Sequence, residues 1–470
     1  MRRQLVPLGL AVVSVFGAAC THSNSAPATP SGSTVASPVS SPVATPGVSS
    51  LIPQPSIKAL NRRTLRRLAP ESRRIDLVAP TFSDPTTITN PLFPIGELAS
   101  ALLLGKLHGE PWRAETTLLP HTKTVVWNGQ QIETLRSQFV AYLDGRIFEI
   151  AVDLYAQADD GSVWYLGEDA FSYGHGRVVD TEGTWVAGVD GPPAMIMPGD
   201  PKVGDVYRTE NIPGLVFEEV TVEAVDVTLD GSTGPVTGAM VAQELHMDEV
   251  RLEDKYFAPG YGEFFSGGGR TFEATALAVP TDSLSEPVPA ELETLSAGAL
   301  DVADAARSSD WRAATVAVDT MRAAWSAFQA GRATPPLLAT EMTDALDSVA
   351  GAVRRHDERG VSQAALDVAG ASLDLQLRYR PPVEVNVDRF DLWTRQLEAD
   401  AASGDQDSAL GDVATMGWIR DRIALEASDG RSVDDSLRVL EAAVEAGELR
   451  AAAAAAARLR GTVAELTPIA

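Results

Sequence analysis

The chain carries one cysteine in 470 residues, Cys20. A lone thiol closes no disulfide within the chain, so the folded parts must rest on packing alone. Lysine is almost as scarce, at 58, 106, 123, 202 and 255 only, and arginine supplies the rest of the 38 basic residues. Against them stand 64 acidic residues, for a formal net charge of −26. That balance repels phosphate backbones and excludes a nucleic-acid partner. Beyond the first twenty residues there is no apolar run of the roughly 20 residues that a membrane-spanning helix needs. Signatures of catalysis and metal binding are missing as well. No HxxxH, HExxH or GxSxG occurs, and Gly267-Gly268-Gly269 is not followed by the Lys-Ser/Thr of a phosphate loop. These gaps lead to an expectation of no cofactor, no metal site and a role that leans away from catalysis.

What is present begins with Met1 to Cys20. Arg2 and Arg3 form a positive start, Leu5 to Phe16 a short apolar run, and Gly17, Ala18 and Ala19 a small-residue approach to the thiol. The order resembles the signal peptide of bacterial lipoproteins, with Gly17 where that pattern usually carries an aliphatic residue. The resemblance implies lipidation at Cys20 and a membrane-anchored protein on the extracytoplasmic face. An ordinary secretory leader is the alternative. Residues 21–57 are rich in Ser, Thr, Pro and Ala, with too few large side chains to offset ordering entropy, and read as a disordered tether. Residues 58–79 form a basic segment with Arg62, Arg63, Arg66, Arg67, Arg73 and Arg74. Two readings compete for it: contact with anionic lipid headgroups, or a short helix docked on the acidic domains.

From 80 to 280 the pattern is β. Leu135–Leu143 meets Asp144-Gly145, a hairpin dipeptide, and Ile147–Tyr155 follows. Further runs at 162–166, 216–228, 236–245, 255–257 and 271–279 complete an antiparallel sheet that curves or closes on itself. Leu98–Leu107 is open between strand and helix, its Leu and Ala content favouring a helix. NPLFPIG (90–96), DLYAQADDGSVWYLGED (153–169), GTWVAGVDGPPAMIMPGDPKVGDVYR (183–208) and KYFAPGYGE (255–263) resemble a family of secreted bacterial proteins of unknown function. Relatives tend to carry Trp where this chain has Leu154. The resemblance implies a curved β domain and no activity.

Residues 281–299 read as a linker and 300–470 as an antiparallel helical bundle, the whole being α+β. Trp311, Ala314, Val318, Met321, Trp325 and Phe328 step by three and four along one helix face, and Leu338 to Val353 repeat the pattern. Ser432–Asp435 looks like a capping box opening one long final helix. The stretch LQLRYRPPVEVNVDRFDLWTRQLEADAASGD (375–405) also resembles helical segments of exported bacterial proteins, with no known role.

Candidate chemistry is thin. His356 continues a helical stripe, where a metal ligand would need partners on facing helices; a histidine placed at a helix C-terminus is the better reading. His246 reads as a surface residue beside acids. Asp153, Glu168 and Asp169 could supply paired carboxylates for glycoside hydrolysis. Asp374 and Arg378 suit a helix-surface pair. The aromatics Tyr155, Trp164, Tyr165, Trp185 and Tyr207 could line a concave sheet face and hold a ligand. The expected function is therefore a lipid-anchored lipoprotein of non-catalytic type, binding a ligand or a cell-envelope partner through its β domain. The alternatives are a secreted hydrolase using the β-domain carboxylates and a metal-handling helical domain.

Overall fold

The computed structural model describes residues 51–247, 252–425 and 427–464; Cys20 and the tether through residue 50 lie outside the described residues. Helix α1 (Arg62–Leu65) sits between 3-10 turns at Ile57–Ala59 and Glu71–Arg73. Asn61 starts it, its side-chain oxygen accepting from the backbone N–H groups of Arg63 and Thr64. Leu60, Leu65 and Leu68 pack on Phe217 and Met247, and the Thr64 hydroxyl donates to the Met247 carbonyl at 2.7 Å. The segment is thus docked by its apolar side, while Arg62, Arg63, Arg66 and Arg67 remain exposed.

Fifteen strands follow. They are β1 (Ser100–Leu107), β2 (Glu110–Leu118), β3 (Lys123–Trp127), β4 (Gln130–Leu143) and β5 (Arg146–Gln157). Next come β6 (Val163–Gly174), β7 (Arg177–Asp180), β8 (Trp185–Val186), β9 (Ala194–Met197) and β10 (Val206–Ile212). The last are β11 (Val216–Asp230), β12 (Pro235–His246), β13 (Glu253–Ala258), β14 (Gly262–Gly268) and β15 (Thr271–Val279). All pair antiparallel in the order β10-β11-β12-β13-β14-β15-β1-β2-β4-β5-β6-β7, with β3 on β4 and with β8 and β9 on β6. Because β9 also lies against β10, the two ends of the order meet and the sheet curls into a barrel-like body. Asp144 and Gly145 both take positive φ in the β4–β5 turn, as the dipeptide foretold.

Leu98–Leu107 is a correction: it is strand β1, not a helix. Its leucines divide between two apolar surroundings. Leu103 and Leu107 join the barrel core, while Leu102 and Leu104 pack on helices. A strand covered on both faces loses the alternation that would announce it.

Among the described residues eight further helices follow the sheet: α2 (Ala290–Arg307), α3 (Trp311–Gly331), α4 (Pro336–Arg355), α5 (Glu358–Gln376), α6 (Pro382–Ser403), α7 (Gln406–Asp421), α8 (Ala427–Glu445) and α9 (Leu449–Ala464). Asp310, Asp357 and Asp405 cap α3, α5 and α7 by accepting from the backbone N–H three residues on. The expected linker 281–299 is already helical from Ala290. The expected single last helix is two, broken at Gly447 with φ 71°. Ser432–Asp435 lies inside α8 and does not start it.

Helices α2 to α5 share one apolar core with Leu102, Ala276, Leu277 and Val279 of the sheet. Trp393 and Trp418, from α6 and α7, pack on Val140, Tyr142, Ile147 and Ile150 of β4 and β5. Between these contacts lies a buried ionic network. Arg113 of β2 spans Glu115 at 2.7 Å and Asp374 of α5 at 2.6 Å. Arg422 donates to Glu115 and to Gln138, and Arg389 to Asp374. Asp374 therefore does not form the surface pair expected with Arg378, whose guanidinium donates to the carbonyls of Asp282 and Ala333. His356 ends α4 in the left-handed conformation (φ 53°), exposed and stacked on Trp311 at 4.7 Å.

Candidate functional site in the barrel interior

Strand alternation decides which side chains enter the barrel. The register runs Ser137 to Asp153 to Glu168 across β4, β5 and β6. On the other wall it runs Glu210 to Glu218 to His246 across β10, β11 and β12, then Glu244 to Glu253. Lys255 to Ser266 to Glu273 closes the circuit through β13, β14 and β15. Glu149 on β5 and Glu263 on β14 join the same set, so β5, β6 and β10 to β15 each bring an acid. The basic side chains among them are His246 and Lys255.

Those two cations each serve several acids. His246 has Nδ1 2.8 Å from Glu218 and Nε2 2.8 Å from Glu253. Lys255 Nζ lies 3.3 Å from Glu263 and 3.5 Å from Glu244. The Thr209 hydroxyl lies within hydrogen-bond distance of both Glu218 and Glu244, at 3.1 and 3.2 Å. Burial opposes charge on His246, but the Glu218, Glu253 and Glu244 carboxylates outweigh it and raise the imidazole well above its ordinary range. The same contacts hold Glu218 low against its own burial, and Lys255 and His246 draw Glu253 down to about 2.

On the other acids burial wins. Glu149 is pushed up to about 8 by burial and by the neighbouring Asp153 and Glu273. Asp153 rises to about 7 through burial, against the hydrogen bonds of Tyr165 and Tyr155. Glu168 and Glu210 are raised further, first by burial and then by surrounding carboxylates. Several polar atoms find no partner: both carboxylate oxygens of Glu210, one each on Glu149, Glu168 and Glu273, the Tyr207 hydroxyl and the Trp185 indole nitrogen. Buried polar groups in native folds are normally satisfied, so this concentration marks a site rather than a core.

The five aromatics named from sequence are all buried to 2% exposure or less. Tyr155 and Tyr165 stack at 4.9 Å, and Trp185 meets Tyr165 edge-on. The Tyr165 hydroxyl bridges Asp153 and Glu168, 2.7 Å from each. Trp164 donates to the Ser162 hydroxyl, and Tyr207 lies opposite Val220. Of the three candidate hydrolase acids, Asp153 and Glu168 are thus brought together in the closed interior. Asp169 points away from them, half-exposed and paired with Lys123 at 3.1 Å. Beside Asp153, Ser137 and Tyr155 lies a cavity of about 50 Å³. That admits a few water molecules or an ion, not a sugar or a lipid.

His246 is a correction: its side chain is 12% exposed and held between carboxylates. One signal pointed to it. Glu244, His246 and Glu253 occupy same-face positions of two adjoining strands, a polar stripe where alternation calls for apolar residues. Glu210 and Glu218 lie on consecutive strands of one hairpin, but no motif spacing ties that pair to Glu244 and His246 on β12. Among the described residues, the group able to place one ligand atom each within 4.8 Å of the others is Glu218, Glu244 and His246. It lies in the barrel and not, as the metal-handling alternative had it, in the helices.

Fold and site together define a class: an antiparallel barrel-like domain with an enclosed acidic interior, backed by a helical layer. No protein-family model, curated protein or solved structure matches the chain.

Proposed function

We propose that the chain is a lipid-anchored, extracytoplasmic binding protein of non-catalytic type, with its β domain as the binding part. The observation that carries the reading is the barrel interior, where acids outnumber cations and several buried oxygens lack partners. Desolvating carboxylates costs several kcal/mol each unless they are paired. An interior kept this way serves something that enters it. The enclosed geometry, with its small cavity, favours holding a ligand over turning over a large substrate. The helical layer acts as a support, locked to the outer wall through Glu115 and Asp374.

The lipoprotein-like leader supports anchoring at Cys20, and the resemblance of residues 90–263 to secreted bacterial proteins supports export. The exposed arginines at 62, 63, 66 and 67 follow the tether directly and give a membrane-facing side to an otherwise acidic molecule. No described helix is long and apolar enough to cross a membrane. Cell fractionation of wild type against Cys20→Ala tests the anchor. Wild type is expected in the membrane fraction with a diacylglyceryl increment in its mass, and Cys20→Ala in the medium. Unmodified wild-type protein in the medium would refute anchoring.

A further inference from the structure

We propose that the wall formed by β10 to β13 is a binding site for one divalent first-row metal ion, with Glu218, Glu244 and His246 as ligands and Glu210 closing the set. The inference rests on the binding role proposed above and names its ligand.

Three observations converge on it. First, Glu218, Glu244 and His246 each bring a ligand atom within 4.8 Å of the others, a spacing that small side-chain shifts close onto one ion at usual metal–nitrogen and metal–oxygen distances of about 2.0–2.2 Å. Second, Glu210 stands opposite Glu218 in the register. It is 2% exposed, and neither of its carboxylate oxygens has a partner. A buried carboxyl left without a partner among other carboxyls is placed to take up a cation. Third, His246 contacts carboxylates through both ring nitrogens. A metal would take one of these nitrogens and leave the other N–H on its carboxylate, as metal-bound histidines usually do.

The donor set selects the ion. One imidazole with two or three carboxylates suits Zn²⁺ or Mn²⁺ better than Ca²⁺, which prefers oxygen ligands alone. The side chains of His246 and Glu253 are slightly exposed, at 12% and 10%, so the cluster reaches solvent where β12 ends.

The test uses the mature full-length protein, stripped with a chelator and titrated by calorimetry with Zn²⁺, Mn²⁺ and Ca²⁺ separately. One Zn²⁺ or Mn²⁺ per chain is expected, with Ca²⁺ weaker. His246→Gln and Glu210→Gln are each expected to weaken binding by at least about tenfold, and the outward-facing Asp169→Asn to leave it unchanged. Glu210→Gln keeps the size of a side chain that has no partner, so its metal-free form is expected to unfold no earlier than wild type, which separates lost binding from lost folding. Failure of all three ions to bind, or full affinity in both ligand variants, overturns the assignment. A stripped protein that ignores metals but is stabilised by a small cation such as ammonium overturns the metal and keeps the binding role. One that responds to neither overturns both.

Discussion

Glu115 and Glu210 are both buried glutamates, and the molecule treats them in opposite ways. Glu115 lies among Arg113, Arg389 and Arg422, which outweigh its burial and hold its carboxyl well below the usual range. Glu210 is raised by its burial and by the Glu218, Glu168 and Glu244 carboxylates, against which the His246 imidazole does not prevail. The first carboxylate is structural, because it fastens β2 to the helices. Breaking a buried pair from one side leaves an uncompensated charge and typically costs about 3–5 kcal/mol. Glu115→Ala, which strips the fully buried Arg422 of its carboxylate, is expected to lose stability in that range in urea unfolding. Asp169→Ala, which breaks a half-exposed pair with Lys123, is expected to cost less than about 1 kcal/mol. Equal losses would mean that the layers are not held through Glu115.

At the scale of elements, β1 shows how closely the strands are laid. A Cβ on Gly105 would sit 1.9 Å from the Phe272 carbonyl oxygen and 2.7 Å from the Glu273 Cα. Those are backbone atoms of the paired strand and cannot step aside. Gly105→Ala is expected to destabilise the protein by at least about 2 kcal/mol, read as a lowered thermal midpoint; an unchanged midpoint would contradict this register. The same strand marks the limit of what the chain reveals about itself. Hairpins with a turn dipeptide, such as β4–β5 at Asp144-Gly145, are legible because the signal is local. So are the stripes of α3 and α4. β1 is not, since burial on both faces removes its alternation, and neither is the start of α2, which lies where proline suggested a linker. The site suffers most. Its acids come from β5, β6 and β10 through β15; Glu210–Glu218 and Asp153–Glu168 each span one hairpin, but only the closing of the sheet brings those hairpins and the remaining acids around one interior. The aromatics that stood out in the sequence are present in and around that interior, but the carboxylates between them are what set it apart.

For the whole molecule, the acidic interior ties stability to pH. Glu149 and Asp153 face Glu168 on β6 and Glu273 on β15, with Tyr155 and Tyr165 beside them, and titrate near 8 and 7 in the folded state. In the unfolded chain they would titrate near 4. The folded state therefore binds more protons between these values, so the stabilisation is full below about pH 4 and is lost as pH rises through 7 and 8. Carboxylates held low by cations, Glu115 and Glu253 among them, act in the opposite sense and withdraw their support below about pH 4. The thermal midpoint is thus expected to peak in mildly acidic solution and to fall by roughly 5 °C or more towards pH 9. Glu149→Gln should flatten that alkaline limb, and a midpoint that rises from pH 6 to 9 would contradict the placement of these acids. The central claim is that the acidic barrel holds a cation when the protein is at work. Native mass spectrometry of protein released from the membranes of the cells that make it, compared with the same sample denatured, tests this most directly. A folded mass exceeding the denatured mass by one divalent ion is the predicted result; equal folded and denatured masses would contradict it.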